Sequence, residues 1–172
     1  MSRVLIIGYG NAVRRDDALG IHAAHALGEY YRDRSDVRII PTSQPSWELA
    51  EDLSQSDFVL FLDASIAEAP GTIVEEQLDA RNSAPELTHH CTPSALLMTS
   101  MQLYGKAPCA ASLTMVGSSF DVGVGLSPLV QGRFEEFLSK AKVIVSHWLH
   151  EPASPRGGKS PRAFQAPAKV HI

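Results

Sequence analysis

The sequence predicts an α/β fold, a three-layer sandwich with a mostly parallel central sheet and helices on both faces. Two observations carry this. Apolar runs of the doubly buried strand type, Val4-Leu5-Ile6-Ile7 and Phe58-Val59-Leu60-Phe61-Leu62, alternate with segments of helical period. Two of those segments open on the same device, Thr92-Pro93 and Ser127-Pro128, a capping hydroxyl followed by a first-turn proline.

In chain order, the first strand is expected over about Arg3 to Gly8, broken by Gly8-Tyr9-Gly10-Asn11. A helix over Ala18 to Tyr31 would turn Leu19, Ala23, Ala26, Leu27, Tyr30 and Tyr31 to the core. Val37 to Ile40 reads as a short strand stopped by Pro41, and Ser46 as the cap of a short helix that buries Trp47, Ala50 and Leu53. The third strand, Phe58 to Leu62, ends at Asp63; after the Pro70-Gly71 turn, residues 72–74 suggest an edge strand. The polar segment from Gln77 to His89 reads as irregular. A helix from Thr92 should stop near Tyr104 at Gly105, followed by a strand over Leu113 to Val116. The last helix, from Ser127, has the best amphipathic pattern: Leu129, Val130, Phe134, Phe137, Leu138, Ala141, Ile144, Val145, Trp148 and Leu149. Residues 1–150 thus read as a single α/β domain, the unit that would hold any catalytic site. Residues 151–172 read as a disordered, basic tail rich in Pro, Gly and Ala.

Composition narrows the function classes. Of 172 residues, 44% are hydrophobic and 20% charged, ordinary for a soluble globular chain. The formal charge is −4; the tail carries net +3, leaving −7 in the body, which argues against a nucleic-acid partner. Two cysteines, Cys91 and Cys109, suggest a reduced cytoplasmic protein rather than a disulfide scaffold. There is no signal-peptide pattern and no apolar run long enough for a membrane span.

Asp16, Asp17 and Asp63 are each expected just past the C-terminal end of a strand, the edge where open α/β sheets bind ligands. Gly8-Tyr9-Gly10 begins a dinucleotide fingerprint, but Val13 stands at its third glycine and no acid follows the second strand. Gly158-Lys159-Ser160 resembles a P-loop ending, but Ala153 stands where the earlier glycine is required. A metal site is the other possibility: two carboxylates and a histidine from His89-His90 would give an oxygen and nitrogen set with open positions. The structural reading stands beside it. Asp16 suits a helix cap, an acid ending a buried strand is often hydrogen-bonded, and a histidine pair in a polar loop is usually solvated. Cys91 reads as a small buried thiol rather than a nucleophile.

The motifs taken together resemble the [NiFe]-hydrogenase maturation endopeptidases. Gly8-Tyr9-Gly10-Asn11 followed by Asp16-Asp17 and Gly20 is similar to their G-x-G-N and acidic signature. Phe61-Leu62-Asp63-Ala64, Pro70-Gly71-Thr72, Leu103-Tyr104-Gly105, Leu113 to Gly117 and Gly125-Leu126-Ser127-Pro128 follow in the family's order, over about Val4 to Trp148. The departures are Asp17, where relatives can carry Glu, and Ala18, where Gly is common. The resemblance implies a hydrolase of the aspartyl endopeptidase type that removes the C-terminal extension of a hydrogenase large-subunit precursor after nickel insertion. It implies Asp17, Asp63 and His90 as catalytic and metal-binding residues, with His89 an adjacent possibility. It also implies nickel supplied by the substrate, the precursor as partner, and a cytoplasmic location without nucleic acid or membrane. A non-catalytic nickel- or precursor-binding chaperone on the same fold is the alternative, and a nucleotide-binding module a distant third.

Overall fold

The computed structural model describes residues 3–80 and 91–151. A five-stranded sheet has the order β2-β1-β3-β5-β4, built from β1 (Val4–Tyr9), β2 (Val37–Thr42), β3 (Phe58–Ser65), β4 (Ile73–Leu78) and β5 (Cys109–Val116). β2, β1, β3 and β5 are mutually parallel, and β4 lies antiparallel on β5. The helices are α1 (Leu19–Tyr30), preceded by a 3-10 turn over Arg15–Ala18, α2 (Leu49–Ser54), α3 (Pro93–Tyr104) and α4 (Pro128–His150).

Strand alternation sorts the apolar side chains into two cores. Val4, Ile6, Phe58, Leu60 and Leu62 pack with residues of α1 and α4 on one face. Leu5, Ile7, Val59 and Phe61 pack with residues of α2 and α3 on the other. The expected three-layer sandwich is therefore the observed one. Phe58 stacks on Trp148, with ring centroids 5.3 Å apart, and fixes the far end of α4 against the sheet. Both expected caps form: Thr92 accepts from the Ala95 N–H and Ser127 from the Val130 N–H. Gly105 closes α3 in the left-handed conformation, with φ +68°.

Several boundaries differ from expectation. β2 continues through Pro41 to Thr42, because on an edge strand a missing N–H breaks no ladder on the open side. β3 runs to Ser65, so Asp63 lies inside the strand rather than beyond it. β4 and β5 are both longer than their apolar runs: antiparallel pairing carries β4 to Leu78, into the segment expected to be irregular, and β5 starts at Cys109. Ser46 does not cap α2; a turn intervenes, the helix begins at Leu49, and Trp47 faces solvent. Tyr30 and Leu129 are likewise exposed, while α1 buries Gly20 and Ala24 instead.

Those two small residues place α1 directly on the strand backbone. A Cβ on Gly20 would stand 2.2 Å from the Leu62 carbonyl oxygen and 2.4 Å from that of Tyr9; one on Gly8 would stand 2.0 Å from the Gly20 carbonyl oxygen. The helix start is thereby held over the ends of β1 and β3. The tail assigned to residues 151–172 lies outside the described residues beyond Glu151, as does the segment 81–90.

Candidate active site

The chain leaves β1 toward β2 on one side and returns to β3 on the other, so the strand order reverses between β1 and β3. At such a switch the two following connections diverge and open a crevice at the C-terminal edge of the sheet. Asp17 and Asp63 come from the two elements that border it.

The loop from β1 carries two acids that go to different places. Gly10 starts it with φ +141°, and a Cβ there would stand 1.7 Å from the Asp17 carbonyl oxygen, so only glycine permits this return of the chain. The Asn11 N–H donates to Asp17 Oδ2 at 3.1 Å, and the Asp17 N–H to the Arg14 carbonyl at 3.0 Å. Arg15 takes the left-handed region at φ +43°, held by its N–H on the Gly123 carbonyl at 3.1 Å.

Asp16 is fully buried. Its carboxylate accepts the N–H groups of Ser118 at 2.8 Å, Ser119 at 2.9 Å and Ser127 at 2.6 Å, and the Ser127 hydroxyl at 2.7 Å. Burial pushes its pKa up, but the donors, Ser127 foremost, outweigh this and hold it below the usual carboxylate value. It does not cap its own helix, as the sequence suggested. It ties the loop after β1 to the loop after β5 and to the start of α4.

Asp17 is half-buried, on the other side of that loop, with Asp63 close enough to feel its charge. The Asp63 carboxyl is pushed up to about 7. Burial is the main cause, opposed by hydrogen bonds from the Ala64 N–H (2.8 Å) and the Tyr9 hydroxyl, and the Asp17 charge adds to the rise. The Tyr9 phenol in turn is raised by burial, by the Asp63 charge and by its hydrogen bond to Asp63. Two neighbouring acids, one reluctant to ionise, form an oxygen donor set suited to a divalent cation, whose charge relieves the repulsion between them.

The structure thus leaves Asp17 and Asp63 within electrostatic reach of each other and takes Asp16 out of the site. His90 and His89 lie outside the described residues, and among the described residues no group of three His, Cys, Asp or Glu side chains forms a metal cluster. Cys91 is half-buried beside the α2–α3 core, with its thiol pushed up to about 11 by burial, the opposite of an activated nucleophile. Tyr9 was not foreseen as a site residue. Period-two alternation from Leu5 and Ile7 would have put it on the Val59-Phe61-Asp63 face, but ending the strand at Gly8 hid this.

No family model matches the chain. It is similar to the Hydrogenase 2 maturation protease of Escherichia coli (strain K12), with 27% identity over 80% of this chain and 87% of that protein. It is also similar to the hydrogenase expression/formation protein HupD of Rhodobacter capsulatus, with 24% identity over 85% of this chain and 72% of that one. Among solved structures, the [NiFe] hydrogenase maturation protease HycI from Thermococcus kodakarensis KOD1 superposes with a TM-score of 0.68 at 23% identity, over 84% of this chain and 93% of that chain. The hydrogenase maturating endopeptidase HybD from E. coli gives 0.66 at 22% identity over the same shares. The chain has the fold of these endopeptidases, and the resemblance read from its motifs extends along most of its length.

Proposed function

We propose that this chain is a hydrogenase maturation endopeptidase, which removes the C-terminal extension of a [NiFe]-hydrogenase large-subunit precursor after nickel insertion. The reading is supported by Asp17 and Asp63, which lie within electrostatic reach of each other beside the strand-order switch of a fold shared with maturation proteases. The relatives, one named a hydrogenase maturation protease and the other a hydrogenase expression/formation protein, point to the substrate class.

In this reading nickel arrives as part of the precursor. Asp17 and Asp63 offer it oxygen donors, and His90 a nitrogen; a mixed set of that kind suits nickel better than magnesium. Bound there, the ion would polarise a carbonyl or a water. Asp17 and Asp63 hold the cleavage segment in place, and an empty precursor gives them no cation to hold. The free thiols Cys91 and Cys109 suit a reducing cytoplasm, and no helix among the described residues is long and apolar enough to cross a membrane.

The purified protein mixed with nickel-loaded precursor should yield a subunit shortened at its C-terminus by mass spectrometry. A stable complex without mass loss would instead support a precursor-binding chaperone.

A further inference from the structure

Each loop that follows a parallel strand shows a large apolar side chain to solvent. Val13 after β1 is 55% exposed, Trp47 after β2 49%, Ile66 after β3 85%, and Val122 and Val124 after β5 are 86% and 84% exposed. Single exposed aliphatics are ordinary, whereas a contiguous group on the rim of a site marks a contact surface. Three of these belong to one patch. The Gly123 N–H donates to the Val13 carbonyl at 2.9 Å and the Arg15 N–H to the Gly123 carbonyl at 3.1 Å, so Arg14 and Gly123 pair as a short parallel bridge. Ile66 stands at the root of the same loop, next to Ser65, whose carbonyl accepts the Gly117 N–H at 2.9 Å.

We infer that Val13, Ile66, Val122 and Val124 form the docking surface for the folded body of the large-subunit precursor. They bind an apolar patch of that body while its C-terminal segment reaches Asp17 and Asp63. The inference rests on the proposed processing function. The occupant follows from continuity, because Val13 lies in the loop that ends at Asp17, closed by the Asn11 N–H on the Asp17 carboxylate. A protein whose backbone reaches Asp17 comes up to the loop that carries Val13, which is bridged to Gly123 between the two other valines. The surface is also pre-organised. The four hydrogen bonds to Asp16 bind both valine-bearing loops to the body, which lowers the ordering cost of docking.

The test uses the full-length protein with the paired substitution Val122→Asp and Val124→Asp, and Val143→Asp as control. Val143 is exposed on α4 beside Tyr30 and Arg34, toward the opposite edge of the sheet. Affinity for the nickel-loaded precursor is read by calorimetry and trimming by mass spectrometry. The paired variant should bind at least tenfold more weakly and show a raised KM, with melting temperature unchanged and the control like wild type. Equal affinity of the paired variant and wild type overturns the inference, and so does wild-type protein that fails to bind precursor. A paired variant that instead changes from dimer to monomer in light scattering also overturns it, assigning the patch to a second copy. If wild type binds through the patch and never trims, the docking surface stands and the protease reading falls.

Discussion

Ser127 donates twice to Asp16 across 111 residues of sequence, from its backbone nitrogen at 2.6 Å and its hydroxyl at 2.7 Å. The residue that caps α4 is thus also the main partner of a buried acid in the first loop.

Asp16→Asn should therefore be a stability mutation. An amide presents one acceptor oxygen where the carboxylate meets four donors, and leaves N–H groups facing N–H groups. The expected loss is about 2–4 kcal/mol at neutral pH, by urea denaturation. The sign with pH follows from the direction of the shift. The folded-state pKa is lowered, so the contribution is complete above the unfolded value and is lost as pH falls through the folded one. The gap between wild type and Asp16→Asn should narrow below about pH 4.

Asp63 has the opposite sign. With its carboxyl raised to about 7, the folded chain holds a proton that the unfolded chain has released, so stability falls as pH rises from about 4 to 7. Asp63→Asn should remove that slope, leave the protein at least as stable at pH 8, and abolish trimming. Carboxyl carbon shifts of the metal-free protein should show Asp63 titrating near neutrality. Tyr9→Phe, which deletes a hydrogen bond that favours the ionised form, should move that titration upward, and Asp17→Asn should move it downward.

Gly10→Val should damage the acidic loop. A side chain there meets the Asp17 carbonyl at a positive φ, so the loop must open or the fold must strain, at about 2–4 kcal/mol. Trimming should fall at least tenfold. Affinity for NAD or ATP should be negligible before and after the change, as isothermal titration would show.

His90→Ala should abolish trimming with no change in melting temperature, and His89→Ala should reduce it less than tenfold. Reversal of that order in a mass-spectrometric assay would move the assignment to His89.

Much of the fold was legible because its signals are local. Thr92-Pro93 and Ser127-Pro128 each carry a hydroxyl, a proline and a following apolar period within a few residues, and both helices begin there. The true extents of β3 and β5 were hidden because pairing with neighbours, rather than an apolar run, carries them past Leu62 and back to Cys109. In the site, position put Asp16, Asp17 and Asp63 alike near strand ends, and only the family resemblance singled out Asp17 and Asp63. What separates Asp16 from Asp17 could not: the two are adjacent, and their fates depend on the turn at Arg15 and on a serine far along the chain. Trp47 looked like a core residue by its helical spacing, but the helix starts after it.

The same Asp16–Ser127 link bears on how the protein is made. A growing chain emerges from its N-terminus, and its early segments fold against what has already appeared. The strand and acids of the first loop are made well before the donors that stabilise the Asp16 carboxylate, which come from residues 118, 119 and 127. Until those emerge, a charge with no partners stands where the first helix must close on the sheet. The loop that holds the two acids therefore takes its final form only once Ser127, 111 residues after Asp16, has been made.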